Sequence, residues 1–433
     1  MYIKRIELRN IRGFKHLDFN LDRGNGEYAG WTVITGDNGS GKSSLLKAIA
    51  VCLVGKDTAR ALQPSFVGWT RSGVGDEEFS ITLDIVRTQG DDEFVDQGKT
   101  TTRDFKAKVQ IRASGKEPSL ETTIPPGVHA TYKTPDRSVW SSEAWGWFSC
   151  GYGPFRRVFG ASPEATQQMV SSSTTRYATM FNEAASLTEA DRWIRDLNYK
   201  ALENRTNEKD HLEKVLAILK DDLIPSDMAI ERIDSDGLWL RDRNRTLLSW
   251  KDMSDGYRAA LALLVDILRH MIIAYGSDDL FAQDAGGHIV VNRSGVVLID
   301  EIDAHLHPEW QRKIGFWLKN HFPKIQFLVT THSPIICQAA DRNGIFKLPD
   351  PGSDQEPFAV REEEYQKIIA ARPDTILLTS AFGLENTRSE RAIKSRQGYS
   401  RLKAMERAGV KLGPDQKEEL KQLALFAEID EEL

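Results

Sequence analysis

The eight residues GDNGSGKS at positions 36–43 restrict what this chain can fold into more than any other stretch. They read G-x-x-x-x-G-K-S. Ahead of them, residues 31–35 (WTVIT) form a short β-rich run; behind them, residues 43–54 place Leu45, Leu46, Ile49 and Leu53 on one helical face. Strand, glycine loop and helix in that order make a nest of backbone N–H groups around a phosphate. Asn38, Gly39, Ser40, Gly41, Lys42, Ser43 and Ser44 are therefore the expected nucleotide-binding residues. Lys42 is expected to reach the β- and γ-phosphates of ATP, and the Ser43 hydroxyl to ligate Mg²⁺. A merely flexible glycine turn would not call for Lys-Ser leading straight into a helix.

A second motif fits the same chemistry. The run VVLIDEID at 296–303 is an apolar strand ending in two carboxylates. Asp300 is expected to hold the magnesium ion, usually through water, and Glu301 to polarise an attacking water as general base. Another apolar strand, IQFLVTT at 325–331, ends on His332, with a helix between the two strands. That is a β-α-β unit whose strands are buried on both faces. His332 is placed either to hydrogen-bond a γ-phosphate or simply to cap its strand. The nearby HLH at 305–307, with Glu309, invites a metal reading. Residues two apart on a helix point to different faces, so a loop packing at a subunit boundary is preferred.

A third stretch, LLSWKDMSDGYRAALALL at 247–264, sets Ser-Asp-Gly ahead of an apolar run with helical spacing. Small polar residues there leave bare N–H groups at a helix start, a second place for an anion.

Composition narrows the setting. A chain of 433 residues has room for about two or three domains, and 40% hydrophobic with 28% charged residues fits a globular protein with a real core. A net charge of −6 excludes general attraction to nucleic acid, so any such contact needs a local patch. No apolar run approaches the roughly 18 residues of a membrane span. The opening MYIKRIELRN alternates like a strand and lacks the apolar core of a signal peptide, so a cytoplasmic protein is expected. Cys52, Cys150 and Cys337 lie far apart and read as buried thiols.

Elsewhere, residues 2–22 read as two strands joined near Arg12-Gly13, and 79–87 and 106–113 as a further pair. Residues 163–223 have helical periodicity, and 229–250 return to strands and turns. The expected organisation is an N-terminal lobe (1–160), a helical insert (161–228), a C-terminal lobe (229–348) and a helical partner-binding region (349–433). The basic segment from Arg388 to Lys411 reads as a solvated helix face or as a surface for nucleic acid or a partner. The aromatic-rich stretch before Arg156 and Arg157 (Trp145, Trp147, Phe148, Tyr152, Phe155) reads as core, with the arginines at the nucleotide or a subunit boundary.

The order of phosphate loop, Ser-Asp-Gly helix start, Asp-Glu strand and His strand resembles the ABC-type ATPase heads of the SMC, RecF and OLD families. The fold this implies is α/β: a P-loop NTPase head with mixed sheets flanked by helices, a helical insert and a helical C-terminal region. In this resemblance Ser254, Asp255 and Gly256 are the signature motif, Asp303 belongs to the D-loop, His332 is the switch histidine, and Gln63 in LQPSF is the candidate Q-loop glutamine. It further implies that two protomers meet face to face, each signature helix lidding ATP cradled by the other. Long coiled coils, a Toprim domain and an HNH cluster are not evident in the sequence. Compact size, GYGPFRR at 151–157 and TILLTSAFGL at 375–384 resemble the ATPases of Septu and retron anti-phage systems, which implies a separate HNH nuclease partner. A RecF-like ATPase that clamps DNA, and an ATP-gated structural module with negligible turnover, are the alternatives.

Overall fold

The architecture is taken from a computed structural model, which describes residues 1–73, 77–95, 104–112, 116–122, 134–156, 158, 172–203, 206–222, 224, 228–276, 279–353 and 355–428. Arg157 and residues 161–171, 204, 205, 223 and 225–227 of the expected insert lie outside these. By contact the chain forms two compact units, residues 1–376 with 380–382, and residues 377–379 with 383–433.

The larger unit is built on a six-stranded sheet in the order β16-β15-β3-β14-β13-β7. Strands β3 (Gly30–Thr35), β7 (Ser149–Tyr152), β13 (Gly295–Ile299), β14 (Ile325–Thr330) and β15 (Ile345–Lys347) run parallel; β16 (Phe358–Ala359) is an antiparallel edge. The central strands β13 and β14 are buried at every residue because both faces are covered. Trp31, Val33, Val297, Ile299, Phe327 and Val329 enter one core. The alternate residues Ile34, Val296, Leu298 and Leu328 enter the other.

That second core is closed by α1 (Lys42–Leu62) and by an antiparallel sheet in the order β2-β1-β4-β5-β6. Its strands are β1 (Tyr2–Ile11), β2 (Phe14–Asn20), β4 (Ser80–Val86), β5 (Phe105–Arg112) and β6 (Ser119–Thr122). Here the period-2 pattern is plain in the sequence, since one face points outward. Helix α1 kinks at Gly55, whose φ of 76° leaves the helical region.

The first core packs the parallel sheet against α2 (Thr188–Leu202), α3 (Thr206–Lys220), α4 (Asp255–Tyr275) and α5 (Pro308–His321). A three-stranded antiparallel sheet of β8 (Ala229–Asp234), β9 (Gly237–Arg241) and β10 (Leu247–Ser249) leads into α4. A short hairpin, β11 (Phe281–Gln283) with β12 (Ile289–Val291), follows α4, and α6 (Glu362–Ala370) follows β16. The smaller unit carries α7 (Glu390–Arg407) and α8 (Pro414–Glu428), which pack on each other. The basic residues Arg391, Lys394, Arg396, Arg401, Lys403 and Arg407 lie on α7.

One reading of the sequence needs correcting. Trp147, Phe148 and Tyr152 are core, but Trp145 and Phe155 are 47% and 40% exposed, because they lie in the loops on either side of β7. Residues 149–152 (SCGY) form a strand too short and glycine-bearing to show a period in the sequence.

Candidate nucleotide site

The loop after β3 is shaped by its glycines. Gly36, Gly39 and Gly41 have φ of 153°, 82° and 96°. A Cβ at Gly41 would lie 2.8 Å from Phe14 Cζ, and one at Gly36 would lie 2.5 Å from Ser40 Oγ, so neither position tolerates a side chain. Lys42, the first residue of α1, folds back over the loop: its Nζ donates to Gly36 O (2.7 Å) and Asp37 O (3.0 Å). Burial lowers the Lys42 pKa, while Glu301, Asp300 and Asp37 pull it the other way. The Ser40 hydroxyl is buried and makes no hydrogen bond. An orphan donor inside a glycine-lined nest beside a folded-back lysine fits a phosphate ligand. Asn38 and Gly39 are exposed at the rim, and Asp37 pairs with Lys347 at 3.5 Å. Ser43 and Ser44 open α1, and Ser44 Oγ accepts from Arg12 Nη1 at 3.1 Å. Arg12 stacks 4.4 Å from the Trp69 ring, so a residue from the β1–β2 turn joins the helix start.

The acid pair sits at the end of β13, two strands from β3 with β14 between. Thr330, at the end of β14, keys both residues: its Oγ1 donates to Asp300 Oδ1 (2.5 Å) and accepts from Glu301 N (2.7 Å). Ser43 and Asp300 are the residues that would hold a magnesium ion, which would neutralise phosphate charge there. Glu301 has a φ of 46°, a left-handed conformation costing roughly 1–2 kcal/mol for a residue with a Cβ. Arg156 holds it there. This buried guanidinium, just beyond β7, donates from Nη1 to Gly153 O (3.1 Å) and Asp300 O (2.8 Å), and from Nη2 to Glu301 O (3.0 Å) and Ile302 O (3.4 Å). Burial brings its pKa down to about 10 against the pull of Asp300, Asp303 and Glu301. Arg156 thus fixes the direction of the Glu301 side chain without being aimed at a ligand itself.

This arrangement carries a prediction. Arg156→Lys keeps a cation but loses the planar fork that spans the carbonyls. Turnover is expected to fall about tenfold or more, with nucleotide affinity changed less than about threefold. Steady-state kinetics beside equilibrium nucleotide binding reads the two apart; equal losses in both would contradict the positioning role.

Asp303 accepts from Thr331 Oγ1 (2.5 Å) and His332 N (3.4 Å), which ties the turn after the acids to the end of β14. The His332 side chain is exposed beside it. Gln311 links the same parts, donating to Leu306 O (2.8 Å) and accepting from Ser333 Oγ (2.6 Å). His307 caps α5 through Nδ1, which accepts from Glu309 N. Among the described residues no group of three or more His, Cys, Asp or Glu side chains is arranged to hold a metal.

Ser254 is the N-cap of α4, yet its hydroxyl makes no capping bond, and Ser254 and Asp255 are both exposed. Asp255 pairs with Arg258. A Cβ at Gly256 would lie 2.1 Å from His305 O, so this glycine lets α4 press against the turn that follows the acid pair. No hydrogen bond among the described residues joins Ser254, Asp255 or Gly256 to the loop at 36–43 of the same chain. Gln63 ends α1 beyond the Gly55 kink, where its Nε2 donates to Ser65 O (3.0 Å); none of its hydrogen bonds reaches the phosphate loop. Sequence reasoning gave Arg156 only a general place at a boundary and did not single out Arg12, Thr330 or Thr331. The fork on three successive carbonyls and the strand-end threonines are visible only once the strand order is known.

A parallel sheet with a phosphate loop after one strand, an acid pair two strands away and an antiparallel sheet over α1 is the fold of an SMC-type head. The fold is shared with the crystal structure of the SMC head bound to the C-winged helix domain of ScpA, at a TM-score of 0.50 and 16% identity, covering 84% of this chain and 99% of that one. The chain belongs to the family described as "AAA domain, putative AbiEii toxin, Type IV TA system", which matches residues 31–338. It is 25% identical over 389 residues to the Septu protein PtuA of Bacillus mycoides (strain KBAB4), covering 89% of this chain and 45% of that protein. It is 38% identical over 120 residues to the Retron Ec83 probable ATPase of Escherichia coli, covering 28% of this chain and 20% of that one. The chain thus spans less than half the length of either relative. No helix among the described residues is long and apolar enough to cross a membrane.

Proposed function

We propose that this ATPase hydrolyses ATP between two copies of itself and that, in anti-phage defence, its nucleotide state controls a separate HNH nuclease. The observation that carries the first part is the unused end of α4. Ser254 presents a free hydroxyl and the bare N–H groups of a first helical turn, and these do not hydrogen-bond to the chain's own phosphate loop. Those donors suit the γ-phosphate of a nucleotide cradled by a second protomer, where the helix dipole adds about 0.3–1 kcal/mol. Glu301 then acts as the general base on a water, Lys42 and the loop glycines hold the phosphates, Ser43 and Asp300 hold Mg²⁺, and His332 and Asp303 respond to the γ-phosphate. The defence role and the nuclease partner are supported by the likeness to PtuA and to a retron ATPase.

The test is assembly. With Mg²⁺ and a non-hydrolysable ATP analogue the full chain is expected to elute as a dimer. Ser254→Arg is expected to stay monomeric while binding nucleotide with wild-type affinity, measured by chromatography with light scattering. Dimers that persist in the variant, or a monomer that binds no less ATP yet never pairs in the wild type, would refute the shared site. Stable ATP-dependent binding of DNA by the lone chain would instead support a RecF-like clamp.

A further inference from the structure

A second cavity lies at the other end of the strands. Val296 pairs with Ser149 at the start of β7, four residues or roughly 13 Å of strand from Asp300. Beside Ser149, next to the kink of α1, is a cavity of about 300 Å³, lined among others by Trp140, Ser141, Trp147, Ser149, Arg176 and Tyr177. Its walls are built rather than incidental. Trp140 Nε1 donates to Cys52 O (2.8 Å) at the α1 kink, and a Cβ on Gly55 would lie 2.7 Å from Trp140 Cγ, so the kink and the indole require each other. Trp147 is buried against Phe94 and Phe105. The backbone of Arg176 is pinned to β7, its carbonyl accepting from Gly151 N at 2.9 Å.

Arg176 is the anomaly. It lies deep in the fold, with part of its surface left open, and its guanidinium stands 5.5 Å from the Phe148 ring. Among the described residues it forms no ion pair, and its Nε is buried without a hydrogen bond. Burial lowers its pKa, and the groups that pull it up are a thiol and tyrosine hydroxyls (Cys150, Tyr177, Tyr275, Tyr152), with no carboxylate among them. A buried charge is ordinarily paired, because leaving it unpaired costs several kcal/mol. Here the cation borders an open cavity whose lining also includes Ser149, Tyr177 and the two indole residues Trp140 and Trp147.

We infer that this cavity is a binding site for the oxyanion group, phosphate or carboxylate, of a small molecule with a flat apolar body. The anion supplies the partner that Arg176 lacks, and the indoles of Trp140 and Trp147 cover the rest. The site is separate from the nucleotide loop: Leu53 on the cavity wall is eleven residues, about 16 Å of helix, from Lys42.

The experiment uses the full chain saturated with Mg²⁺ and ADP, so that the phosphate loop is already filled. Phenyl phosphate, benzoate and inorganic phosphate are titrated separately, followed by thermal melting and by calorimetry. At least one of the aromatic oxyanions is expected to raise the melting temperature saturably and to bind tenfold or more tightly than inorganic phosphate. Arg176→Met is expected to abolish that response and, in unliganded protein, to melt at the wild-type temperature or above, since it removes an unpaired buried charge. Binding by phenyl phosphate alone or benzoate alone tells which oxyanion the site takes. No binding by any probe, equal binding by Arg176→Met, or a marked loss of stability in that variant each overturns the proposal; the last would mean that the cation already has its partner in the fold.

Discussion

Glu301→Gln is expected to slow ATP hydrolysis by about 10²–10⁴-fold while leaving ATP bound, the range that a positioned general base contributes. The substitution keeps the shape of the side chain and leaves its backbone contacts untouched. Glu301 N still donates to Thr330 Oγ1, and Arg156 still donates to Glu301 O, so the left-handed turn at φ 46° is retained. Only the ability to accept a proton from water is lost. Nucleotide affinity therefore survives, and the ATP state accumulates. Single-turnover assays with radiolabelled ATP measure the chemical step, and chromatography of the same sample reports whether the trapped state is a dimer. Turnover at the wild-type rate would remove Glu301 from the role of base and transfer the search to His332 and Asp303.

Lys42→Met is expected to weaken ATP binding by about 100-fold or more, since the ammonium is folded over the phosphate nest. Its effect on the unliganded fold should be small. The Lys42 pKa is lowered, with burial as the main cause, so the charged form is less favourable in the folded chain than in the unfolded one. A lysine with a lowered folded pKa costs stability at neutral pH, and the cost fades as pH rises toward the unfolded value near 10.5. Methionine removes that cost and keeps the aliphatic stem, at the loss of two hydrogen bonds to Gly36 O and Asp37 O. The melting temperature of the unliganded variant is expected within about 3 °C of wild type. The wild type should gain stability when Mg²⁺ and ATP are added, and the variant should not. A large drop in the unliganded variant would make Lys42 a brace for the loop and not a residue held ready for phosphate.

Both predictions rest on motifs that could be read from the residues alone. The phosphate loop, the acid pair and the Ser-Asp-Gly start of α4 are each contiguous. Each is bracketed by a run whose period or apolar continuity marks a strand or a helix. Local chemistry is enough there: glycine supplies the φ of 153°, 82° and 96°, lysine supplies the charge, and carboxylates follow a strand buried on both faces. The α/β class and the alternating strands β1, β2, β4 and β5 follow from the same short-range patterns.

Other features have no local signature. Arg156 grips carbonyls 144 to 146 residues away, and Thr330 reaches the acid pair across 30 and 29. Gly256 is a glycine because α4 meets the His305 carbonyl, which nothing in SDGYR announces. The fate of Gln63 depends on a kink and a turn beyond it, and Arg176 is conspicuous only because no counter-ion among the described residues reaches it. Periodicity and turn chemistry depend on residues a few positions apart, so the sequence by itself determined the elements and the phosphate-binding motifs. Which strand lies beside which, how closely two backbones approach, and whether a buried charge finds a partner depend on contacts between distant segments. Those were decided only when the sheet closed in the order β15-β3-β14-β13-β7 and fixed what each strand end could touch.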